Sequence, residues 1–461
     1  MGRQKKQGSK IYVVLIALVA ALGGLLFGYD TAVISGAVGF LEEFFKLSPA
    51  MTGWTVSCAL VGCVFGAAFT GVLCDRLGRK KTLLIAAVFY LVSAVGSAVP
   101  RSLTEFIVFR IIGGLGVGAA SMAAPLYIAE ISPARVRGRM VSLNQFAIVT
   151  GILVVYFVNF FIERYGASVS DSWNLNYGWR WMFGSGVFPS LLFFVLLFMV
   201  PESPRWLAKA GRLDEAERVL TKIDGSAHAK SEISAMTGNL AHEDVSILQL
   251  FQPGMRLLLI IGLALATLQQ ITGINVVLYY APEIFKDLGF SMNTALLQTV
   301  AVGAVNLIFT LVAIWTVDRF GRKPLMIVGA AGMGISLLVL GTGFYFQQSG
   351  PWALLFVLGY VACFSLSLGP VVWVILSEIF PVRIRGRAMA VATVTLWIAC
   401  YLISQTFPMM NDHPVLVKKF HHAFPFWIYA VFCAATIWFV LKFVPETKGR
   451  SLEEIEKMWI K

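Results

Sequence analysis

Two ionisable side chains lie within long apolar stretches of the sequence, where a charge is rare. Asp30 ends an uncharged run over residues 11–29, and Arg110 precedes another over 111–129. If both runs form membrane helices, a rise of about 1.5 Å per residue places the two side chains at a similar depth. Charges inside a membrane are by default functional, and at this depth the two side chains could meet. The alternative is that each side chain reaches the outer surface separately, which is harder for the short Asp30.

Four amide side chains form a second group in the apolar stretches: Gln269, Gln270, Asn275 and Asn306. They fall at matching depth in two successive runs, whereas a single amide such as Asn159 is explained by a hydrogen bond between helices. An amide both donates and accepts hydrogen bonds, as a ligand rich in hydroxyl groups requires. Aromatic side chains that can cover the apolar face of a ring-shaped ligand accompany them, namely Phe27, Tyr279, Trp373 and Trp397.

The composition indicates an integral membrane protein. Of the 461 residues, 58% are hydrophobic and 13% are charged, and the mean hydropathy is +0.77. A soluble domain carries about a quarter charged residues, which argues against a soluble enzyme. The net charge of +12 is spread over short clusters between apolar runs, which argues against nucleic-acid binding. The six cysteines lie within the apolar runs and indicate neither a disulfide framework nor a zinc site.

The uncharged runs predict twelve membrane-spanning helices. Ten runs have the length of one span, and the 54-residue run 324–377 is long enough for two. Gly350 and Pro351 are among the turn-forming residues in the middle of that run. Lys and Arg concentrate in the loops on the same side as the N-terminus, so both termini are expected in the cytoplasm.

Three motifs recur at nearly one offset and divide the chain into two halves. Residues 75–80 return at 318–323, residues 130–139 at 378–387, and residues 201–203 at 445–447. The matching segments run in the same direction, which predicts a parallel duplication with the ligand at the interface of the halves. The predicted units are an N-terminal six-helix half (1–201), a cytoplasmic helical linker (202–256), a C-terminal six-helix half (257–444) and a cytoplasmic tail (445–461).

An acidic residue recurs in each of the repeated cytoplasmic loops, although basic residues alone would fix the topology. Such carboxylates can pair with guanidinium groups at the ends of neighbouring helices. We predict a set of cytoplasmic ion pairs that closes the inner mouth and breaks when it opens. Its members are Asp75, Arg76, Glu130, Arg137, Asp318, Arg319, Glu378 and Arg385.

The sequence resembles the sugar porter family of the major facilitator superfamily, and within it the bacterial proton-coupled pentose and hexose symporters. The resemblance covers nearly the whole chain and is carried by residues 71–80, 201–205, 269–275, 319–323 and 445–449. It implies an all-α membrane protein with twelve transmembrane helices in two six-helix halves, the major facilitator fold, in a bacterial inner membrane. It also implies alternating access of the halves around a central sugar, with no cofactor and no metal.

The resemblance implies roles for individual residues as well. Asp30 corresponds to the proton site and Arg110 to its partner, and the sugar contacts fall on Gln145, the four amides and Trp373. Ile152 and Leu396 stand where the xylose-transporting members of the family have glutamine, so the identity of the sugar stays open.

We therefore expect a proton-coupled symporter that imports a neutral monosaccharide such as D-xylose, D-glucose, D-galactose or L-arabinose. A facilitative uniporter or an exchanger of the same fold is the nearest alternative, and Asp30 argues against it. A sugar sensor would be expected to carry a long cytoplasmic extension, and the short predicted tail, residues 445–461, argues against that class. An intramembrane enzyme would need a nucleophile or a metal group, whereas the five histidines lie in loops or at a span end. The expected partners are the sugar, the proton and the lipid bilayer, with neither nucleic acid nor an obligatory protein partner.

Overall fold

The computed structural model describes residues 9–133, 135–170, 172–239, 252, 255–348, 350–380 and 384–448. Over these residues the secondary structure is helical, with no β-strand. The helices are α1 (Lys10–Ala32), α2 (Ile34–Phe45), α3 (Pro49–Leu77), α4 (Arg79–Ala98), α5 (Leu103–Ile131), α6 (Arg137–Val169), α7 (Trp179–Gly184), α8 (Val187–Met199), α9 (Pro204–Lys209), α10 (Leu213–Asp224), α11 (Ser226–Asn239), α12 (Met255–Ile271), α13 (Ile274–Asp287), α14 (Met292–Phe320), α15 (Arg322–Tyr345), α16 (Trp352–Leu366), α17 (Leu368–Ile379), α18 (Arg385–Asn411), α19 (Pro414–Phe420) and α20 (Phe424–Phe443), and a π-helical segment (Asn174–Gly178) precedes α7.

Twelve helical segments of the described chain are long and apolar enough to span a membrane, which confirms the predicted fold class. The uncharged run 324–377 holds two of them, Arg322–Tyr345 and Trp352–Ile379, with the predicted turn between. Four of the spans in the described chain consist of more than one helical segment. The first span is interrupted at Val33, the sixth between Gly184 and Val187, the seventh at Gly273 and the tenth at Ser367. Such interruptions place helix ends inside the membrane, where they can serve a binding site.

A glycine with a positive φ joins two spans at each repeated inner loop. Gly78 (φ +92°) lies between α3 and α4, and Gly321 (φ +90°) lies between α14 and α15. An L-residue rarely adopts this conformation. A Cβ on either glycine would also collide with a carboxylate, that of Glu202 or Glu446 respectively. The sequence repeat is therefore a repeat of local backbone structure.

Small residues let the helices of the N-terminal half approach closely. A Cβ on Gly62 or Gly114 would collide with the backbone of the facing helix, so α3 and α5 are in near backbone contact. Between the halves, α3 packs on α18 and α6 packs on α14. Residues 240–251 of the predicted linker and 449–461 of the predicted tail lie outside the described residues, and the boundaries of those two units stay predictions.

Contacts between the halves close the side of the bundle opposite the repeated loops, which we call the outer side. Near the outer end of α18, Gln405 Oε1 accepts a hydrogen bond from Ser57 Oγ on α3 at 2.9 Å. On the other pair of packed helices, Asn293 at the start of α14 donates to Glu163 Oε2 on α6 at 3.0 Å. The two halves are therefore joined at their outer ends in this structure.

Candidate functional site

Asp30 and Arg110 form a buried ion pair in the N-terminal half. Arg110 on α5 donates from Nη1 to Asp30 Oδ1 at 3.0 Å and from Nη2 to the Asp30 backbone carbonyl at 3.1 Å. The Arg110 side chain is 1% exposed and that of Asp30 is 12% exposed. The guanidinium lies 5.3 Å from the centre of the Phe183 ring. Each charge would be costly to bury alone, and the alternative that the two side chains reach the surface separately is wrong.

Three of the predicted amides form a hydrogen-bonded chain at the interruption of the seventh span. Gln269 Nε2 donates to the carbonyls of Leu368 at 2.7 Å and Gly369 at 3.0 Å, where α17 begins. Gln270 Nε2 donates to Gln269 Oε1 at 3.1 Å, and Asn275 Nδ2 donates to Gln270 Oε1 at 2.5 Å. The chain ties α12, α13 and α17 together, so the amides are oriented before a ligand arrives.

Gly273 allows the backbone to turn between the second and third amide. Its φ is +96°, in the left-handed region, and its N–H donates to the carbonyl of Gln270 at 3.0 Å. The ring of Tyr429 on α20 packs against it and leaves no room for a Cβ. The sequence Gln-Gln-Ile-Thr-Gly-Ile-Asn therefore places Gln270 and Asn275 on one side of a helix break.

The remaining predicted contacts lie on both halves. Asn306 Oδ1 on α14 accepts from Ser365 Oγ on α16 at 2.8 Å. The rings of Phe27 on α1 and Trp397 on α18 lie 5.4 Å apart, centre to centre, and so meet across the two halves. Trp397 Nε1 is buried without a hydrogen-bond partner among the described residues, which leaves it as a donor for a ligand. Tyr279 on α13 is 5% exposed.

Gln145 and Trp373 are less closely connected to this chain. Both are half-buried, on α6 and α17, and within the described ranges neither is hydrogen-bonded to the three amides. Ile152 and Leu396, the two departures from the family pattern, are 7% and 6% exposed. Their apolar side chains make no hydrogen bonds, whereas a glutamine amide at either position could both donate and accept them.

Sequence reasoning missed Cys400, which lies beside the amide chain. Asn275 Nδ2 is 3.1 Å from Cys400 Sγ. A cysteine within an apolar run carries no signal that distinguishes such a position from ordinary packing. Across the part of the chain that the structure describes, all six cysteines are free thiols, and no group of three or more metal-ligating side chains is present.

At the inner ends of the helices, the recurrent glutamates pair with arginines that the sequence analysis did not name. Glu130 on α5 binds Arg79 at 2.8 Å, and Glu378 on α17 binds Arg322 at 2.9 Å. Arg79 and Arg322 begin α4 and α15 directly after the glycine turns, so they are the basic residues that reach the glutamates. Each of these two pairs joins helices of one half.

The arginines predicted as partners lie elsewhere. Arg76, Arg137 and Arg319 are exposed at helix ends. Arg385 donates from Nε to a backbone carbonyl, that of Phe380, at 3.2 Å. The direct ion pairs of the two glutamates are therefore made by Arg79 and Arg322, because the loop sequence does not show which arginine the turn directs inward, while Arg385 lies close enough to Glu378 to interact electrostatically with it.

The two aspartates of the repeated loops are not equivalent to the glutamates. The side chain of Asp75 is 60% exposed and lies 3.8 Å from both Arg79 and Lys209. The side chain of Asp318 lies outside the described residues. A surface pair of this kind contributes about 0–1 kcal/mol, so the less exposed glutamates, Glu130 and Glu378, are the stronger anchors.

Glu202 and Glu446, which sequence reasoning did not name, cap two helix N-termini. Glu202 accepts from the backbone N–H of Arg79 at 2.9 Å, and Glu446 accepts from those of Arg322 at 3.1 Å and Lys323 at 3.0 Å. Burial raises the pKa of Glu446, but hydrogen bonds from four backbone N–H groups outweigh it, and the net pKa is lowered. The available signal was the third repeated motif, in which both glutamates follow a proline.

Comparison with known proteins brings these features together. The family described as "Sugar (and other) transporter" matches residues 16–459. The chain is 49% identical to the D-xylose-proton symporter of Escherichia coli (strain K12), over 98% of this chain and 97% of that protein. It is 46% identical to the arabinose-proton symporter of Bacillus subtilis (strain 168), over 98% of this chain and 96% of that protein.

A solved structure shares the fold. The xylose transporter from E. coli, in a partially occluded inward open conformation, matches with a TM-score of 0.86 and 46% identity, covering 96% of this chain and 100% of that chain. These relatives are transporters and not enzymes. Twelve spans, a repeated inner loop in each half and a match over nearly the whole length lead to one conclusion: the chain is a multi-pass membrane protein that belongs to the sugar porter family of the major facilitator superfamily.

Proposed function

We propose that this protein is a proton-coupled symporter that imports a neutral monosaccharide, a pentose or a hexose, by alternating access of its two halves. The observation that carries the proposal is the buried pair of Asp30 and Arg110. Ionisable groups inside a membrane are costly and occur mainly where they move ions or protons. The names of the two relatives, proton symporters for xylose and arabinose, support the same function.

In the proposed cycle, Asp30 takes up a proton from the outside and releases Arg110. Sugar binding to the amide chain then allows the halves to rock. Renewed pairing of Asp30 with Arg110 on the inward-facing side expels the proton into the cytoplasm. A structure that is closed at its outer ends and has the ion pair formed corresponds to the stage after proton release.

The composition of the site supports a neutral ligand. Its polar groups are the amides around Gln270 and Asn275, and the charges of Asp30 and Arg110 neutralise each other. A sugar phosphate or a uronate would have to lose hydration without gaining an opposite charge, which costs several kcal/mol.

The proposal includes a setting for the protein. We place it in a bacterial inner membrane with both termini in the cytoplasm, because Lys and Arg concentrate in the loops on that side. Its partners are then the sugar, the proton and the bilayer, and the single chain suffices for transport.

Reconstitution in liposomes tests the proposal. D-Xylose, D-glucose, D-galactose and L-arabinose are assayed as competitors and as substrates, with and without an imposed proton gradient. A membrane potential supplies about 2.3 kcal/mol per charge per 100 mV, enough for roughly fiftyfold accumulation at one proton per sugar. Accumulation that requires the gradient supports symport, whereas competition by charged analogues alone contradicts the proposed ligand class.

Substitution of Asp30 separates coupling from binding. Asp30→Asn keeps the hydrogen-bonding shape but permanently removes the proton-exchanging group. It is expected to exchange labelled for unlabelled sugar across the membrane, yet fail to concentrate sugar or to carry protons inward. Asp214→Asn on the exposed part of α10 is the matched control and should behave as the parent does. If the parent itself never responds to a gradient, the protein is a uniporter or an exchanger.

A further inference from the structure

A small cavity with a few polar groups adjoins Asp30 inside the N-terminal half. Its walls include Asp30 from α1, Tyr90 and Ser93 from α4, Phe183 from α7 and Ser190 from α8. Its volume is about 10 Å³. One buried water molecule requires about 10–15 Å³ and two to four polar partners. The cavity therefore has the size of a single hydration site.

The polar atoms around the cavity are unsatisfied by the protein itself. Asp30 Oδ2, Tyr90 OH and Ser93 Oγ are all buried, and none has a hydrogen-bond partner among the residues that the structure describes. Gly113 on α5 leaves this space open, because a Cβ there would lie 3.4 Å from Asp30 Oδ1 and would collide with Ser93 Oγ. Buried polar atoms of this kind are normally paired with protein or with ordered water.

The unpaired hydroxyl of Ser93 is stronger evidence for a hydration site than the presence of a serine alone. A hydroxyl in a membrane helix usually donates to the carbonyl one turn earlier, as Thr82 does to Gly78 on the same helix at 2.8 Å. Ser93 makes no such bond, nor does Ser97, one turn nearer the outer end of α4. Tyr90, Ser93 and Ser97 are spaced i, i+3 and i+7, so they share one face of α4.

We propose that Tyr90 and Ser93 bind one water molecule against Asp30 Oδ2, and that Asp30 exchanges its proton through this water. The inference rests on the proposed symport and identifies the immediate proton carrier. When Asp30 is loaded, a new O–H bond forms at Oδ2 while an O–H bond of the protonated water breaks, and the neutral water remains. The water is reprotonated from the outer side by way of Ser97. In the inward-facing state Asp30 returns its proton to this water, which passes it to the cytoplasmic side.

Several titratable groups surround this step. Arg110 faces Asp30 from α5, Tyr29 lies beside the cavity on α1, and Cys58 and Cys63 approach from α3. Tyrosine and cysteine ordinarily keep their protons at neutral pH, so they act here as hydrogen-bonding groups and Asp30 is the carboxylate that exchanges. Tyr90 and Ser93 are accordingly positioning residues.

Hydroxyl deletions in the reconstituted full chain test the site. Tyr90→Phe and Ser93→Ala are each expected to slow gradient-driven sugar uptake, and the double variant is expected to slow it at least tenfold. The sugar Kd of all three variants should stay within twofold of the parent value. Their uptake should also saturate at a lower pH, because a more acidic outside compensates for a slower proton donor. Ser35→Ala is the matched control, since its hydroxyl is also buried without a partner among the described residues but does not line the cavity.

A vibrational measurement distinguishes this role from a structural one. The carbonyl stretch of protonated Asp30, identified by its loss in Asp30→Asn, is expected to shift in the double variant and to stay unchanged in Ser35→Ala. If the variants bind sugar, take it up under a proton gradient as fast as the parent does and show an unshifted carbonyl band, the proposed hydration site is wrong while symport stands. If the parent shows no gradient-driven uptake, the proposed function fails instead, and an unmoved band then also overturns the site.

Discussion

At the scale of single residues, we expect the amide chain to divide into a positioning part and a binding part. Gln269 gives its amino group to two backbone carbonyls at the start of α17, so it holds the others in place. Gln270 and Asn275 form the other end of the chain, where Asn275 also lies 3.1 Å from Cys400 Sγ on α18. The sugar hydroxyls are therefore expected to bind mainly to these two amides.

Removal of the Asn275 amide should weaken sugar binding without unfolding the protein. An unpaired buried hydroxyl costs about 1–3 kcal/mol, so Asn275→Ala is expected to raise the sugar Kd at least tenfold. Binding by calorimetry or tryptophan fluorescence measures this change. Asn176→Ala, on the exposed part of the π-helical segment, serves as the control. An unchanged Kd in Asn275→Ala would remove Asn275 from the binding site.

At the scale of the elements, the interruption of the seventh span determines where these amides point. A continuous helix would turn Asn275 by its regular increment and separate it from Gln270. The left-handed residue Gly273 instead ends α12 and starts α13 at a new angle. Tyr429 fills the space beside this turn and holds it.

A side chain at this turn should damage both stability and binding. Gly273→Ala forces an L-residue into the left-handed region and presses its Cβ against the ring of Tyr429. A loss of about 1–3 kcal/mol is expected from the backbone conformation alone, together with a higher sugar Kd. Thermal unfolding in detergent measures the first effect. Gly71→Ala in α3, where a Cβ meets nothing within 4 Å, should leave both quantities unchanged.

The inner ion pairs also act at the scale of elements. Glu378 links the end of α17 to the start of α15 through Arg322 and accepts from Thr447 Oγ1 at 2.5 Å. We predict that Glu378→Gln loosens these inner ends and shifts the protein toward the inward-open state, while the sugar contacts stay intact. The rate of labelling of an engineered cysteine in the inner cavity measures the shift. Equal labelling in parent and variant would contradict the predicted gate.

At the scale of the whole molecule, closure of the outer side brings carboxylates of both halves together. Gly39 on α2 lies directly against Glu283 on α13, without space for a Cβ. One turn later, Glu42 of the N-terminal half faces the acidic residues of the C-terminal half. The surrounding charged groups are Glu283, Asp287 and Asp412, with Lys286 and His422 as basic neighbours.

These carboxylates should make the outer gate sensitive to pH. Burial raises the pKa of Asp412 from its usual value of 3.8, and Asn411 and His422 lower it by less. The pKa of Asp412 is therefore higher in the closed gate than in a hydrated, open gate, so closure is fully favoured below the usual pKa of 3.8 and loses this advantage as the pH rises above it. Closure is expected to be favoured at low external pH and weakened above that value, since the ionised groups repel one another.

Neutralisation of Glu42 should favour closure and reduce this pH dependence. Glu42→Gln removes the negative charge that the N-terminal half brings to the cluster. A shorter mean distance between spectroscopic labels on the outer ends of α2 and α13 is the expected result. Glu43→Gln, at the neighbouring exposed position, is the control. If both variants retain the distances and pH response of the parent, the cluster does not bias the gate.

Much of the architecture could be predicted because its determinants are local in sequence. The length of an apolar run decides whether a helix spans the membrane, and the repeated loop sequences revealed two halves. Asp30 and Arg110 stood out because a charge in such a run is rare. The basic partners of Glu130 and Glu378 could not be predicted, since loop composition does not state which of several arginines a glycine turn directs inward.

The sequence by itself determined the twelve spans, the twofold repeat, the family and the residue types of the site, because membrane insertion depends on composition within one segment. Only the tertiary structure decided the partnerships. It paired Asp30 with Arg110 across 80 residues, placed Cys400 against Asn275, and left Tyr90 and Ser93 facing Asp30 without a protein partner. Such contacts depend on the angles and spacing of packed helices, which follow from the sum of many small interfaces and not from any one motif.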